Sequence, residues 1–286
     1  MNDLDDTQHL AVSIANGIPT VLSLLGEVYM IKSYFSFKPE QRTFSMKLVN
    51  TLVISNLFYS ISNLLTYIDG SSTACFIEGF VRVLTSFFSI VWVEIILWVA
   101  YRQLVDYNDQ ISSIYRTLLI GTLLVALSPG FVAGVSTFLG GEIKFSSDVF
   151  GFCTVYPNVA FVTAAIPTII GIAFTWTLAI LIIIRLKKET RISENGREYK
   201  MIMRYPLILF ICIFPGILNS FVTFLMGRSF FWLTICHIFF TRSEGWMNTL
   251  VYRTKKSPSA NNRPKVIKMI SDVEQLSNSE LSMHLL

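Results

Sequence analysis

Six ionisable side chains stand inside long apolar runs of this chain: Glu27, Glu78, Arg82, Glu94, Arg242 and Glu244. In hydrocarbon each costs about 2.5–3.5 kcal/mol on insertion scales, so each needs a partner or a task. Glu78 precedes Arg82 by four residues, the order that favours a helical ion pair, and that local pair is the expected state. The alternative leaves Arg82 as an anion contact for a ligand arriving from outside. Thr163, Asn219 and His237, polar residues at similar depth, would line a ligand pocket with Glu78 and Arg82. Glu27, Glu94, Arg242 and Glu244 are expected to form an interior polar network, with Arg242 paired to Glu27 or Glu94. Structural glue and an activation switch both fit such a network, because a buried pair that breaks can bias two helix arrangements.

Other chemistries find no support in the spacing. His9, His237 and His284 are scattered, and no cluster has metal-ligand spacing. No acid/base or nucleophile constellation emerges, so no enzyme, cofactor or metal is expected. A retinal photoreceptor of the microbial type needs a Schiff-base lysine in its last helix, and residues 230–252 contain none. Of four cysteines, Cys212 and Cys236 fall inside apolar runs and read as small buried hydrophobes. Cys75 and Cys153 flank such runs on one side, where a bridge would tie the loop 140–157 over the mouth of a helix bundle.

The elements that must carry these residues follow from composition. The chain has 286 residues, 52% hydrophobic and 15% charged, against about 25% charged in soluble domains. Such a chain cannot cover a water-facing exterior, so a bilayer must be part of its solvent. About 20 residues of helix cross a hydrocarbon core of about 30 Å, and only helices or closed barrels satisfy their backbone there. Seven segments reach that length: roughly 10–34, 48–68, 74–101, 117–139, 158–184, 203–225 and 230–252. The sixth and seventh are separated only by Met226-Gly227-Arg228-Ser229, which suits a tight turn.

Charge sets the orientation. Lys32, Lys38, Arg42 and Lys47 flank the first gap, and Arg102 and Arg116 bracket the third. Arg185, Lys187, Lys188, Arg191, Arg197, Lys200 and Arg204 crowd the fifth, and six more basic residues lie beyond 252. The opposite side holds only Lys144 and Arg228. The positive-inside rule then puts the N-terminus out and the C-terminus in, which requires an odd number of crossings. The expectation is an all-α membrane protein with a short extracellular segment 1–9, a seven-helix transmembrane domain 10–253 and a disordered cytoplasmic tail 254–286. The first apolar run is expected to act as an uncleaved signal-anchor, since Asp3, Asp5 and Asp6 precede it without Lys or Arg. Pro129, Pro167, Pro206 and Pro215 are each expected to bend a span, with Pro215 the candidate hinge.

Several strings occupy matching places in this topology. Cys75-Phe76-Ile77-Glu78-Gly79-Phe80 opens the third span, with Trp92 following. Arg204-Tyr205-Pro206-Leu207-Ile208 begins the sixth, with Phe214-Pro215 and Asn219 after it. Glu244-Gly245-Trp246-Met247-Asn248-Thr249-Leu250-Val251-Tyr252 ends the seventh. Together, over roughly 45–255, they resemble the cyclic-AMP-receptor-like (class E) family of G-protein-coupled receptors. The resemblance implies that Cys75 and Cys153 form the family's outer disulfide, and that Asn248 and Tyr252 are its inner polar motif, which rearranges on activation. Arg102 lies where many receptors place an arginine that meets the G protein. Glu78 and Glu244 depart from the family, which more often has glutamine there, so ligand preference is not inherited.

The leading expectation is a plasma-membrane receptor that signals to a heterotrimeric G protein through Arg102, Arg185, Lys187 and Arg204. Its other partners would be membrane lipids and an extracellular ligand, for which a cyclic nucleotide is a candidate. A homodimer is also a candidate assembly, and nothing suggests nucleic acid. The alternative is a transporter or channel with a charged midplane site, although the halves show no repeat and the helix count is odd.

Overall fold

A computed structural model describes residues 5–68, 72–106, 114–138, 145–147, 153–155, 166–188, 203–227 and 230–253. Among these are seven α-helices: α1 (Asp6–Ser36), α2 (Phe44–Ile68), α3 (Ser72–Asp106), α4 (Tyr115–Phe138), α5 (Ile166–Lys188), α6 (Arg204–Met226) and α7 (Phe231–Arg253). Each covers one expected span to within a few residues at its described ends. The segment 158–165, expected at the start of the fifth span, lies outside the described residues, as does the tail. Tyr252 and Arg253 close α7 and belong to a second unit, Tyr252–Leu286, while everything before them forms the first.

The helix ends follow from local chemistry. Asp5 caps α1: its carboxylate accepts from the Gln8 N–H at 2.7 Å, and the Asp5 N–H donates to Gln8 Oε1 at 3.3 Å. Between α1 and α2, Arg42 donates to the carbonyls of Phe37 at 3.1 Å and Phe35 at 3.2 Å, its guanidinium 5.0 Å from the Tyr34 ring centroid. Gly227 ends α6 in the left-handed region at φ 66, its N–H donating to the Thr223 carbonyl at 2.9 Å. Only glycine holds that conformation without a Cβ penalty, so α6 ends at Gly227, within the expected turn, whose Arg228 and Ser229 lie outside the described residues.

The proline expectation needs correction. Pro19, Pro129 and Pro215 lie inside α1, α4 and α6. Pro206 is the third residue of α6, within the first turn, where no intrahelical N–H bond is lost. Pro167 is the second described residue of α5. A further departure from an all-helical chain is an antiparallel hairpin, β1 (Phe145–Ser147) with β2 (Cys153–Val155), which lies against α3.

α3 is the pillar of the first unit, contacting α2, α4, α5 and α6. Trp92, wholly buried in it, donates from Nε1 to the Leu48 carbonyl of α2 at 2.8 Å and meets Tyr115 of α4 edge-on. Tyr115 in turn shares a 2.6 Å hydroxyl hydrogen bond with Thr51. Polarity is arranged inside out. Asn16, Thr20, Ser23 and Glu27 form a buried stripe on α1, while Leu22, Leu25 and Val28 of the same helix are exposed. Phe131, Ile170, Leu225 and Trp232 are exposed elsewhere. Hydrocarbon selects such a surface, and buried polar groups then find one another.

Four helices are long and apolar enough to cross a membrane among the described residues: α1, α3 over Cys75–Arg102, α5 over Thr168–Arg185, and α6. The apolar stretch of α4, Tyr115–Pro129, is shorter. α2 carries Asn50, Asn56 and Asn63, and α7 carries His237, Arg242 and Glu244, the residues that build the site.

Candidate functional site

The site is a buried polar seam where α7 meets α1, α2 and α3. Arg242 stands at its centre. Its guanidinium lies 4.0 Å from Glu78 Oε1, with the two side chains 4% and 0% exposed. The guanidinium carbon also sits 5.2 Å from the centroid of the Tyr59 ring, a cation–π contact beside the ion pair. Two expectations fall here. Glu78 pairs with Arg242, not with Arg82 one turn away, and Arg242 takes neither Glu27 nor Glu94. The reason is depth. An i, i+4 pair on a helix contributes about 0.2–0.5 kcal/mol, whereas stripping the partner from a buried charge costs about 3–5 kcal/mol. Glu78 therefore goes to the deeper cation.

Below the ion pair runs a second set of polar contacts. Ser60 of α2 donates to Glu27 Oε1 at 3.1 Å. Asn56, one turn earlier on α2, donates to Glu244 Oε1 at 3.1 Å and accepts from Ser89 of α3 at 2.9 Å. Asn248 is a further hydrogen-bond partner of Glu244. Ser23 of α1 donates to the Arg242 carbonyl at 2.6 Å and accepts from the Trp246 N–H at 3.2 Å. Glu244 and Asn248 of the expected network are thus joined, and Glu27 lies close enough to Glu244 for their charges to interact. Glu94 is elsewhere: its Oε1 faces α5, where a Cβ built on Gly171 would stand 2.7 Å away.

Two glycines make this closeness possible. A Cβ on Gly245 would contact Glu27 Oε1 and stand 2.8 Å from Ser23 Cβ. One on Gly26 would contact Thr249 Oγ1 and stand 3.3 Å from the Trp246 Cα. Any larger residue at either place would force α1 and α7 apart.

A parallel seam joins α6 to α7. Thr234 donates to Asn219 Oδ1 at 3.4 Å, and Thr241 donates to the Cys212 carbonyl at 3.3 Å. Between them Gly216, next to Pro215, would place a Cβ 2.8 Å from His237 Nε2. His237 is near enough to Arg82 and Arg242 for their charges to act on it. Of the expected pocket, then, Glu78, Arg82 and His237 converge around Arg242, and Asn219 holds the adjoining turn of α6. Thr163 lies outside the described residues.

The remaining expected residues are peripheral to this seam. Arg102 is exposed near the end of α3, 6.0 Å from the Trp98 ring centroid. Arg204 is exposed at the start of α6, and Arg185 and Lys187 fall in the last turn of α5. Tyr252 stands in the last turn of α7, in the second unit. Cys75, in the first turn of α3, is disulfide-bonded, whereas Cys212 and Cys236 are free. Cys153 begins β2.

No protein-family model matches the chain, and no curated protein matches it. The site's geometry therefore carries the functional argument.

Sequence reasoning missed Tyr59, Ser60, Asn56, Ser89 and Ser23. Their signal was available in the spacing: Asn56, Ser60 and Asn63 recur at i, i+4 and i+7 on α2, as do Asn16, Thr20, Ser23 and Glu27 along α1.

Proposed function

We propose that the chain is a seven-transmembrane receptor that passes an extracellular signal to a heterotrimeric G protein. The observation that carries this reading is the buried Arg242–Glu78 pair, set directly above the Asn56–Glu244–Asn248 contacts. A charged pair at the centre of a bundle is costly to keep and costly to break, so it suits an element with two discrete arrangements. Its neighbours suit signalling: His237 touches α6 at Gly216, beside the Pro215 break.

In this reading all seven helices cross the plasma membrane, with the N-terminus outside. α2 and α7 tolerate their polar residues by facing one another rather than lipid. Cys75 pairs with Cys153, which pins the β1–β2 hairpin to the extracellular end of α3. The exposed Arg102 and Arg204, with Arg185 and Lys187, meet the G protein or anionic headgroups on the cytoplasmic face. A ligand works by binding one state better than the other, and can shift the equilibrium only by that difference.

The test is guanine-nucleotide exchange. The purified chain, reconstituted with each class of Gα, should accelerate exchange, and Arg242→Gln should change basal exchange at least several-fold. A receptor that accelerates exchange on no Gα, but carries solute flux in proteoliposomes, would replace this reading with a transporter.

A further inference from the structure

We infer that the seam beneath the Arg242–Glu78 pair binds a monovalent metal cation of the sodium class, held between the carboxylates of Glu27 and Glu244. Such a site serves a receptor or a transporter alike, so it stands apart from the receptor reading. Direct contacts fix both carboxylates. Glu27 Oε1 accepts from Ser60 at 3.1 Å and lies against the backbone of Gly245, where a Cβ would meet it. Glu244, the residue before that glycine, accepts from Asn56 at 3.1 Å. Asn56 and Ser60 are i, i+4 neighbours on α2, so the carboxylates they hold stand about one turn, or about 5–6 Å, apart. Neither carboxylate has an ion pair among the described residues. The guanidinium of Arg242 turns instead to Glu78 at 4.0 Å and to the Tyr59 ring, while its backbone carbonyl stays at Ser23.

Glu244 is supplied with donors, from Asn56 and Asn248, but Glu27 is left short. Glu27 is 1% exposed, and its Oε2 has no hydrogen-bond partner among the described residues. A proton on that atom does not satisfy it, because the O–H then needs an acceptor. A cation does, and it also balances a charge that a packed interior otherwise penalises heavily. Asn63 carries a second orphan oxygen. It follows Ser60 by three residues on the same face of α2, is 1% exposed, and has neither amide atom hydrogen-bonded among the described residues. Carboxylate, hydroxyl and amide oxygens together make the donor set that hard cations take. The charge of the ion follows from the same atoms. Among the described residues no group of three or more His, Cys, Asp and Glu side chains is placed to hold a metal ion, which argues against a transition metal or calcium. Two carboxylates, one of them already hydrogen-bonded twice, match a single positive charge.

The full chain is placed in phosphatidylcholine nanodiscs and its melting is followed by tryptophan fluorescence. Sodium chloride replaces N-methyl-D-glucamine chloride stepwise at constant ionic strength and pH, so that screening does not change. The expected result is a saturable rise in melting midpoint with sodium. Glu27→Gln, which keeps the shape and removes the charge, should abolish the rise. Glu244→Gln should raise the half-saturating concentration about tenfold, and Glu94→Gln, whose carboxyl faces α5, should leave it unchanged. Ser60→Ala removes one oxygen and should raise it about threefold or more, which keeps the inference testable if Glu27→Gln does not fold. The inference is overturned if sodium stabilises no better than N-methyl-D-glucamine, or if Glu27→Gln or Ser60→Ala responds like the wild type. A midpoint that rises on acidification but not with sodium assigns the balancing charge to a proton and overturns it equally. Nucleotide exchange tests the receptor reading separately, and neither failure decides the other.

Discussion

Gly245→Ala should be among the most damaging one-carbon additions this chain can receive. The added Cβ falls on the carboxylate of Glu27, with Glu27 Cδ and Ser23 Cβ each at 2.8 Å. The carboxylate is the end of a flexible side chain and could swing aside. Ser23 Cβ cannot, being one bond from the α1 backbone, and Ser23 also holds the Arg242 carbonyl and the Trp246 N–H. α1 and α7 must therefore separate by several tenths of an ångström. Overpacking of this kind costs about 1–3 kcal/mol. A displaced Glu27 also loses its hydrogen bond from Ser60, worth about 0.5–1.5 kcal/mol. Together the expected loss is about 1.5–4.5 kcal/mol, read as denaturant-induced unfolding in bicelles. Gly17→Ala and Gly121→Ala are the controls, since a Cβ at either meets nothing within 4 Å and alanine is the better helix former by about 0.5–1 kcal/mol. Glu27→Ala combined with Gly245→Ala should cost less than the sum of the two changes, because the first removes the obstructing atoms. If Gly245→Ala is as stable as Gly17→Ala, α1 and α7 do not approach at these residues and the seam described here is wrong.

Glu78→Ala and Arg242→Ala should each destabilise by about 3–5 kcal/mol, and the double variant by much less than their sum; additive losses would mean that the pair is not formed. Trp92→Phe loses the Nε1 bond to the Leu48 carbonyl and leaves a void where the larger, fully buried indole stood, and should cost about 1–3 kcal/mol; an unchanged unfolding midpoint would contradict the α2–α3 contact. Gly227→Ala should cost about 1–2 kcal/mol, because alanine is strained at φ 66; Gly227→Asn, better tolerated in that region, should recover part of it, and equal stability of all three would show that the turn is not left-handed.

What the sequence by itself determined was the set of helices and the depth of their charges. Long apolar runs impose helix because the backbone must satisfy itself locally, and that requirement needs no knowledge of neighbours. The end of α6 at Gly227 was legible for the same reason: it depends on one residue's own φ. The partners of the charges were not legible. The i, i+4 spacing of Glu78 and Arg82 pointed to a local pair, and nothing in the chain order says that residue 242 arrives beside Glu78. Tertiary structure decided that contest, because burial multiplies the cost of an unpaired charge while helical proximity contributes only tenths of a kcal/mol. It likewise sent Glu94 to face Gly171 on α5 and gave Glu244 to Asn56. The glycines at 26, 216 and 245 carry no local signature, since each matters only for what stands 3 Å from a Cβ it lacks. Charges buried in a bundle choose their partners by depth and shape, and both are properties of the packed helices, not of the order in which the residues are joined.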